Sequence, residues 1–123
     1  MILCDSDVLI EVFDRNNQKL IQQLLGYDAN RLCVSSITYS EIIFGSTNKK
    51  HQKDLLNYLD KFILLEVNQQ IDMIHRKLVL DHSLSHKLRI QDALIAASAL
   101  RYDIPLYTLN KRDFSFIKEL VLI

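Results

Sequence analysis

The chain has 123 residues, 49% hydrophobic and 24% charged, a balance that argues against disorder and allows one domain, residues 1–123, with a proper core. Fifteen basic and fifteen acidic residues cancel, so any nucleic acid must be held by local basic clusters rather than by an overall field. Cys4 and Cys33 sit in apolar runs and read as small core residues of a reduced, cytoplasmic protein, and neither a leader nor a run of membrane-spanning length is read.

A short apolar strand opens the chain and stops at Asp5; Ser6 and Asp7 follow, then a helix over 7–13. Residues 14–17 interrupt it, and Leu20, Ile21, Leu24 and Leu25 form one face of a second helix. After a turn at 26–30 come a strand at 31–35, a helix over 37–45 and a polar loop around 46–52. A helix through Leu55, Leu56 and Leu59 leads to a third strand at 62–67. Asn68 caps a long helix whose apolar face runs Ile71, Ile74 and Leu78, flanked by Met73 and Leu80. Residues 81–87 read as a polar loop, 89–102 as a helix with small Ala93, Ala96, Ala97 and Ala99 for close approach to a sheet. A fourth strand at 105–108, a short helix at 114–118 and a last strand at 120–122 complete the chain. Strands alternating with helices imply an α/β fold, a mostly parallel twisted sheet of about five strands covered on both faces.

Four acids stand out, each with an ordinary structural explanation. Asp5 or Ser6 suits a helix N-cap, Thr38 and Glu41 have capping-box spacing, Asp92 complements a helix dipole, and Asp113 can cap a short helix. All four nevertheless fall at ends of elements that a parallel sheet gathers on one edge, where α/β folds place their ligands. Carboxylates gathered there repel one another unless cations lie between them, and oxygen-only ligands suit Mg²⁺ or Mn²⁺ rather than zinc. Such ions polarise a phosphodiester, activate water and neutralise the leaving oxygen. Lys49, Lys50 and Lys53 follow Glu41, Lys87 and Arg89 precede Asp92, and Lys111 and Arg112 precede Asp113, which offers a path for a phosphate backbone. His82 and His86 have the i, i+4 spacing of metal ligands but lack a third partner.

Four blocks, in this order, resemble a PIN-domain ribonuclease, in particular the VapC-like toxins of toxin–antitoxin pairs. They are Leu3-Cys4-Asp5-Ser6-Asp7-Val8-Leu9-Ile10, Ser35-Ser36-Ile37-Thr38 through Glu41 to Gly45, Asp92-Ala93-Leu94-Ile95-Ala96-Ala97, and Thr108-Leu109-Asn110 with Asp113-Phe114. The resemblance implies a three-layer fold with Asp5, Glu41 and Asp92 as core metal ligands and Asp113 as the fourth acid. Ser6 and Asn110 would support them by hydrogen bonding, with Thr108 and Asp7 beside them. Members often carry Thr where Ser6 stands and Asn where Asp7 stands, so Asp7 adds a charge here. It also implies a homodimer and an antitoxin that blocks the site.

The resulting expectation is a Mg²⁺- or Mn²⁺-dependent endoribonuclease, in which activated water attacks an RNA phosphate in line. Two other readings are a phosphoacceptor signalling domain and a catalytically inactive, partner-binding PIN domain. The first needs an Asp at the end of the third strand, and Leu64-Leu65-Glu66-Val67-Asn68 offers none. Metal-dependent RNA cleavage separates the second.

Overall fold

Three consecutive apolar residues suit a strand buried on both faces, and β1 (Ile2–Cys4) has all three side chains buried between parallel neighbours. The computed structural model describes residues 1–123, the side chain of residue 29 apart. The sheet runs β3 (Ile63–Leu65), β2 (Leu32–Ser35), β1, β4 (Leu106–Tyr107), every pair parallel. The register sets Leu3 beside Cys33 and Leu106, and Ser35 beside Leu65.

Alternation along the strands divides the core in two. Leu3, Cys33, Leu65 and Leu106 face α5 (Gln69–His86) and α6 (Ile90–Tyr102), where Ala93, Ala96 and Ala97 let the helix backbone approach the sheet. Ile2, Cys4, Leu32, Val34 and Tyr107 face the other way. There they meet α1 (Ser6–Phe13), α2 (Gln18–Leu25), α3 (Ser36–Phe44) and α4 (Lys49–Leu59) through Val8, Leu9, Leu20, Leu24, Ile42, Leu55 and Leu59. The result is the expected three layers, and both cysteines are buried free thiols. The Cys4 thiol is pushed up to about 12 by burial, then by Cys33 and Asp5, which leaves it unreactive. Among the described residues, no helix is long and apolar enough to cross a membrane.

Chain order reverses at β1, with β2 and β3 on one side and β4 on the other. The chain leaves β1 toward one face through α1, and leaves β4 toward the other through buried Phe114 and Ile117. A crevice opens where two such exits diverge, at the carboxyl ends of β1 and β4.

Several expectations are corrected. Residues 81–87 are not a loop: α5 continues to His86, supported by Lys77 donating to Asp81 at 3.0 Å and by His82 and His86 against Phe116. It stops at Lys87, whose φ of 52° is left-handed. The loop at 46–52 is shorter, because Asn48 accepts from the His51 N–H at 2.8 Å and starts α4 at Lys49. Asn68 caps α5 as expected, accepting from Ile71 N–H at 2.9 Å. Leu25 lies outside its helix's buried face, 72% exposed. Instead of a helix at 114–118 there is a 3₁₀ turn at Lys111–Asp113 followed by turns that bury Phe114 and Ile117. The last strand shrinks to one bridge, Leu106 with Leu122, so the sheet has four strands rather than about five.

Candidate active site

Asp5 ends β1 at the crevice and caps α1, so its capping and its place at the site are one arrangement rather than rivals. Its carboxylate is buried, accepting from the Ser6 N–H at 2.7 Å through Oδ1 and from the Thr108 hydroxyl at 2.9 Å through Oδ2. The Ser6 hydroxyl stands 3.5 Å from Oδ1, so the Ser6 backbone carries most of its support. Asp7 reaches the same loop: its Oδ2 accepts from the Leu109 N–H at 3.1 Å and faces the Thr108 hydroxyl at 3.3 Å. Thr108 in turn accepts the Asn110 N–H at 3.1 Å. Asn110 thus contributes its backbone, and among the described residues its side chain makes no hydrogen bond. The extra charge at Asp7 ties α1 to the end of β4, across the crevice.

Glu41 lies in the second turn of α3, beyond the reach of a cap. That cap is Ser35, which accepts the Thr38 N–H at 3.1 Å, so the Thr38–Glu41 capping box does not form. Asp92 sits in the first turn of α6, whose N-cap Arg89 makes no side-chain bond. Asp113 closes the 3₁₀ turn and caps nothing.

Desolvation raises the carboxyl of Asp5, and Asp92 raises it further against hydrogen bonds from Thr108 and Ser6. Asp7 is raised by desolvation and by Asp5, Glu41 by desolvation and by Asp5, Asp92 and Asp7. Asp92 is raised by desolvation, then Asp113, with Arg89 pulling the other way and Asp7 adding to the rise. These couplings bring all five acids into one electrostatic neighbourhood. Among the described residues, none of the five forms a salt bridge with Lys or Arg. Nor do any three Asp, Glu, His or Cys side chains there stand close enough to grip one ion as they are. The donor chemistry still fits a hard cation: oxygen ligands only, carrying more negative charge than the one opposing cation among the described residues, Arg89, offsets.

The basic residues divide. Lys87, Arg89 and Arg112 line a cleft of about 250 Å³ with Asp92, Asp113, His86 and Phe116. Lys111 lines a second cleft beside Thr108. Lys49, Lys50 and Lys53 are exposed on α4, and among the described residues none of them forms an ion pair with the acids. His82 and His86 contact the Phe116 ring, at 5.0 and 4.2 Å between centroids, as aromatic surfaces rather than a zinc pair. Sequence reasoning missed Phe116 and the Leu109 N–H; a backbone donor has no signature in residue type.

The fold is a parallel α/β sheet with acidic side chains gathered around its switch point. The chain belongs to the PIN domain family, whose model matches residues 2–120. PIN domains are generally nucleases, that is, hydrolases. Among solved structures it is similar to the toxin–antitoxin complex from Klebsiella pneumoniae, with 26% identity and a TM-score of 0.83 over 98% of this chain and 96% of that one. VapBC-1 from nontypeable Haemophilus influenzae is 25% identical, TM-score 0.82, covering 100% and 97%. VapBC2 from Rickettsia felis, solved bound to a promoter DNA fragment, shares the fold at 23% identity and TM-score 0.87 over 100% and 98%. No curated protein matches the sequence.

Proposed function

We propose that this chain is a Mg²⁺- or Mn²⁺-dependent endoribonuclease, the toxin of a toxin–antitoxin pair, acting as a single cytoplasmic domain over residues 1–123. One observation carries the reading: Asp5, Asp7, Glu41 and Asp92 are each raised by desolvation and by at least one other acid, and among the described residues Arg89, beside Asp92, is the one cation that opposes this. Asp5, Glu41 and Asp92 would hold the ion, with Asp113 beside Asp92. When bound, the ion supplies Lewis-acid polarisation of a phosphodiester and a lowered pKa for water. Thr108 orients the Asp5 carboxylate through its hydroxyl, and Asp7 fixes the loop that carries Thr108. Lys87, Arg89 and Arg112, around the cleft of Asp92 and Asp113, receive the RNA backbone. Homodimerisation and a blocking antitoxin belong to the same proposal, and the likeness to toxin–antitoxin complexes supports the partner.

Asp92→Asn tests it. The variant should fold, by circular dichroism, and lose RNA cleavage in Mg²⁺ or Mn²⁺. A folded Asp92→Asn that cuts RNA as fast as the wild type would refute the assignment.

A further inference from the structure

A cleft of about 560 Å³, within the size range of ligand sites, is lined by Thr108 and Leu109 but by none of the five acids. Thr108 and Leu109 belong to both places: they hydrogen-bond Asp5 and Asp7, and they line the cleft. Whatever occupies the cleft is therefore one loop away from the reacting phosphate. The half-buried Tyr27 ring lines it, as do Lys19 and Lys111, both exposed. Deeper, the buried Tyr107 donates its hydroxyl to Gln23 Oε1 at 2.5 Å. That bond fixes the amide through its oxygen and leaves the Gln23 NH₂ as a donor pair with no protein partner among the described residues. The Tyr107 phenol is raised by burial, then by Tyr27 and Cys4, so it remains a donor.

We infer that this cleft seats one base of single-stranded RNA beside the cut, read by Gln23 against Tyr27 while Lys19 and Lys111 hold flanking phosphates. Unpaired RNA is recognised in this way, by an aromatic surface together with hydrogen bonds to a base edge. A fixed amide is a base-reading group, and two exposed ammonium groups in the lining suit phosphates rather than an apolar ligand. The inference rests on the endoribonuclease reading and adds the specificity element to it.

The test maps cut positions in a pool of single-stranded RNA of randomised sequence, using the wild type, Gln23→Ala and Tyr107→Phe, with melting curves alongside. The wild type should concentrate its cuts beside one base. Gln23→Ala should lower that preference roughly tenfold, and Tyr107→Phe by less, since it frees the amide without removing it. The two variants attack one hydrogen bond from opposite ends, so either serves if the other fails to fold. In an Asp92→Asn background, binding of short single-stranded RNAs that differ at the preferred base should rank in the same order. Lys19→Ala should flatten the salt slope of that binding by about 0.7. A wild type that cuts without base preference, or a folded Gln23→Ala with the wild-type cut distribution, overturns the cleft while leaving the nuclease intact. Unchanged cutting by Asp92→Asn overturns the nuclease reading instead, and the inference with it. An unchanged distribution combined with lost neutralisation by a co-expressed antitoxin would assign the cleft to the protein partner and overturn the base.

Discussion

Thr108 is where separate parts of the chain converge on one oxygen. Its hydroxyl has a single proton for two carboxylates, Asp5 at 2.9 Å and Asp7 at 3.3 Å, while it accepts the Asn110 N–H at 3.1 Å. Thr108→Val keeps the shape and removes all three bonds in a buried position. We expect it to cost about 1–3 kcal/mol, because Asp5 and the Asn110 N–H lose partners where water has little access. Cleavage should fall as well, since the Asp5 carboxylate loses its orientation. Urea denaturation and a cleavage assay check both; stability within experimental error of the wild type would mean that the loop is held by something other than this hydroxyl.

At the scale of the element, the 3₁₀ turn at Lys111–Asp113 does more than a short helix would. With three residues per turn, it sets successive side chains about 120° apart. Lys111 lines the cleft beside Thr108, whereas Arg112 and Asp113 line the one with Asp92. Replacing Lys111 and Arg112 together by Ala should weaken RNA binding and flatten its dependence on salt by about 0.7 for each phosphate left unneutralised. Titrations over a range of salt concentrations measure this slope. An unchanged slope would move the RNA path away from the turn. Length matters in α5 too: its extension to His86 brings that ring to the rim of the Arg89 cleft, stacked on Phe116.

For the whole molecule, gathering acids at one edge opposes folding until a cation joins them. Asp5, Asp7, Glu41 and Asp92 all have folded values above the ordinary 3.8 of Asp or 4.5 of Glu. The native state therefore binds more protons than the unfolded chain in that window, and stability falls as pH rises. Their favourable contribution is complete below about pH 4 and is lost as pH climbs through the raised values. In chelator, the melting temperature should thus decrease from mildly acidic to neutral pH. Asp5→Asn should shallow this slope and cost nothing at neutral pH, because its amide keeps the Ser6 N–H bond and offers Thr108 a donor. Millimolar Mg²⁺ or Mn²⁺ should raise the wild-type melting temperature by roughly RT ln(1 + [L]/Kd) in free energy, and the variant should lose most of that gain. Thermal unfolding in both conditions decides it; a wild type indifferent to either ion would count against the cation site.

The sequence by itself determined the layers, the strand that leads to Asp5 and acids at three element ends, Asp5, Asp92 and Asp113, whereas Glu41 lies in the second turn of α3; alternation, helical period and caps are written in neighbouring residues. It misjudged the polar end of α5, where residues 81–86 are helical because one side finds Phe116, and the last strand, where pairing with Leu106 extends to only one residue. Only the tertiary structure decided that Ser35 displaces the Thr38–Glu41 box, that Asp7 spans the crevice, and that Gln23 meets Tyr107. The physical reason is distance along the chain: Thr108 lies 103 residues from Asp5 and Tyr107 lies 84 from Gln23. Hydrogen bonds between residues so far apart leave no period in the sequence, and they form only once the sheet order has placed β4 beside β1.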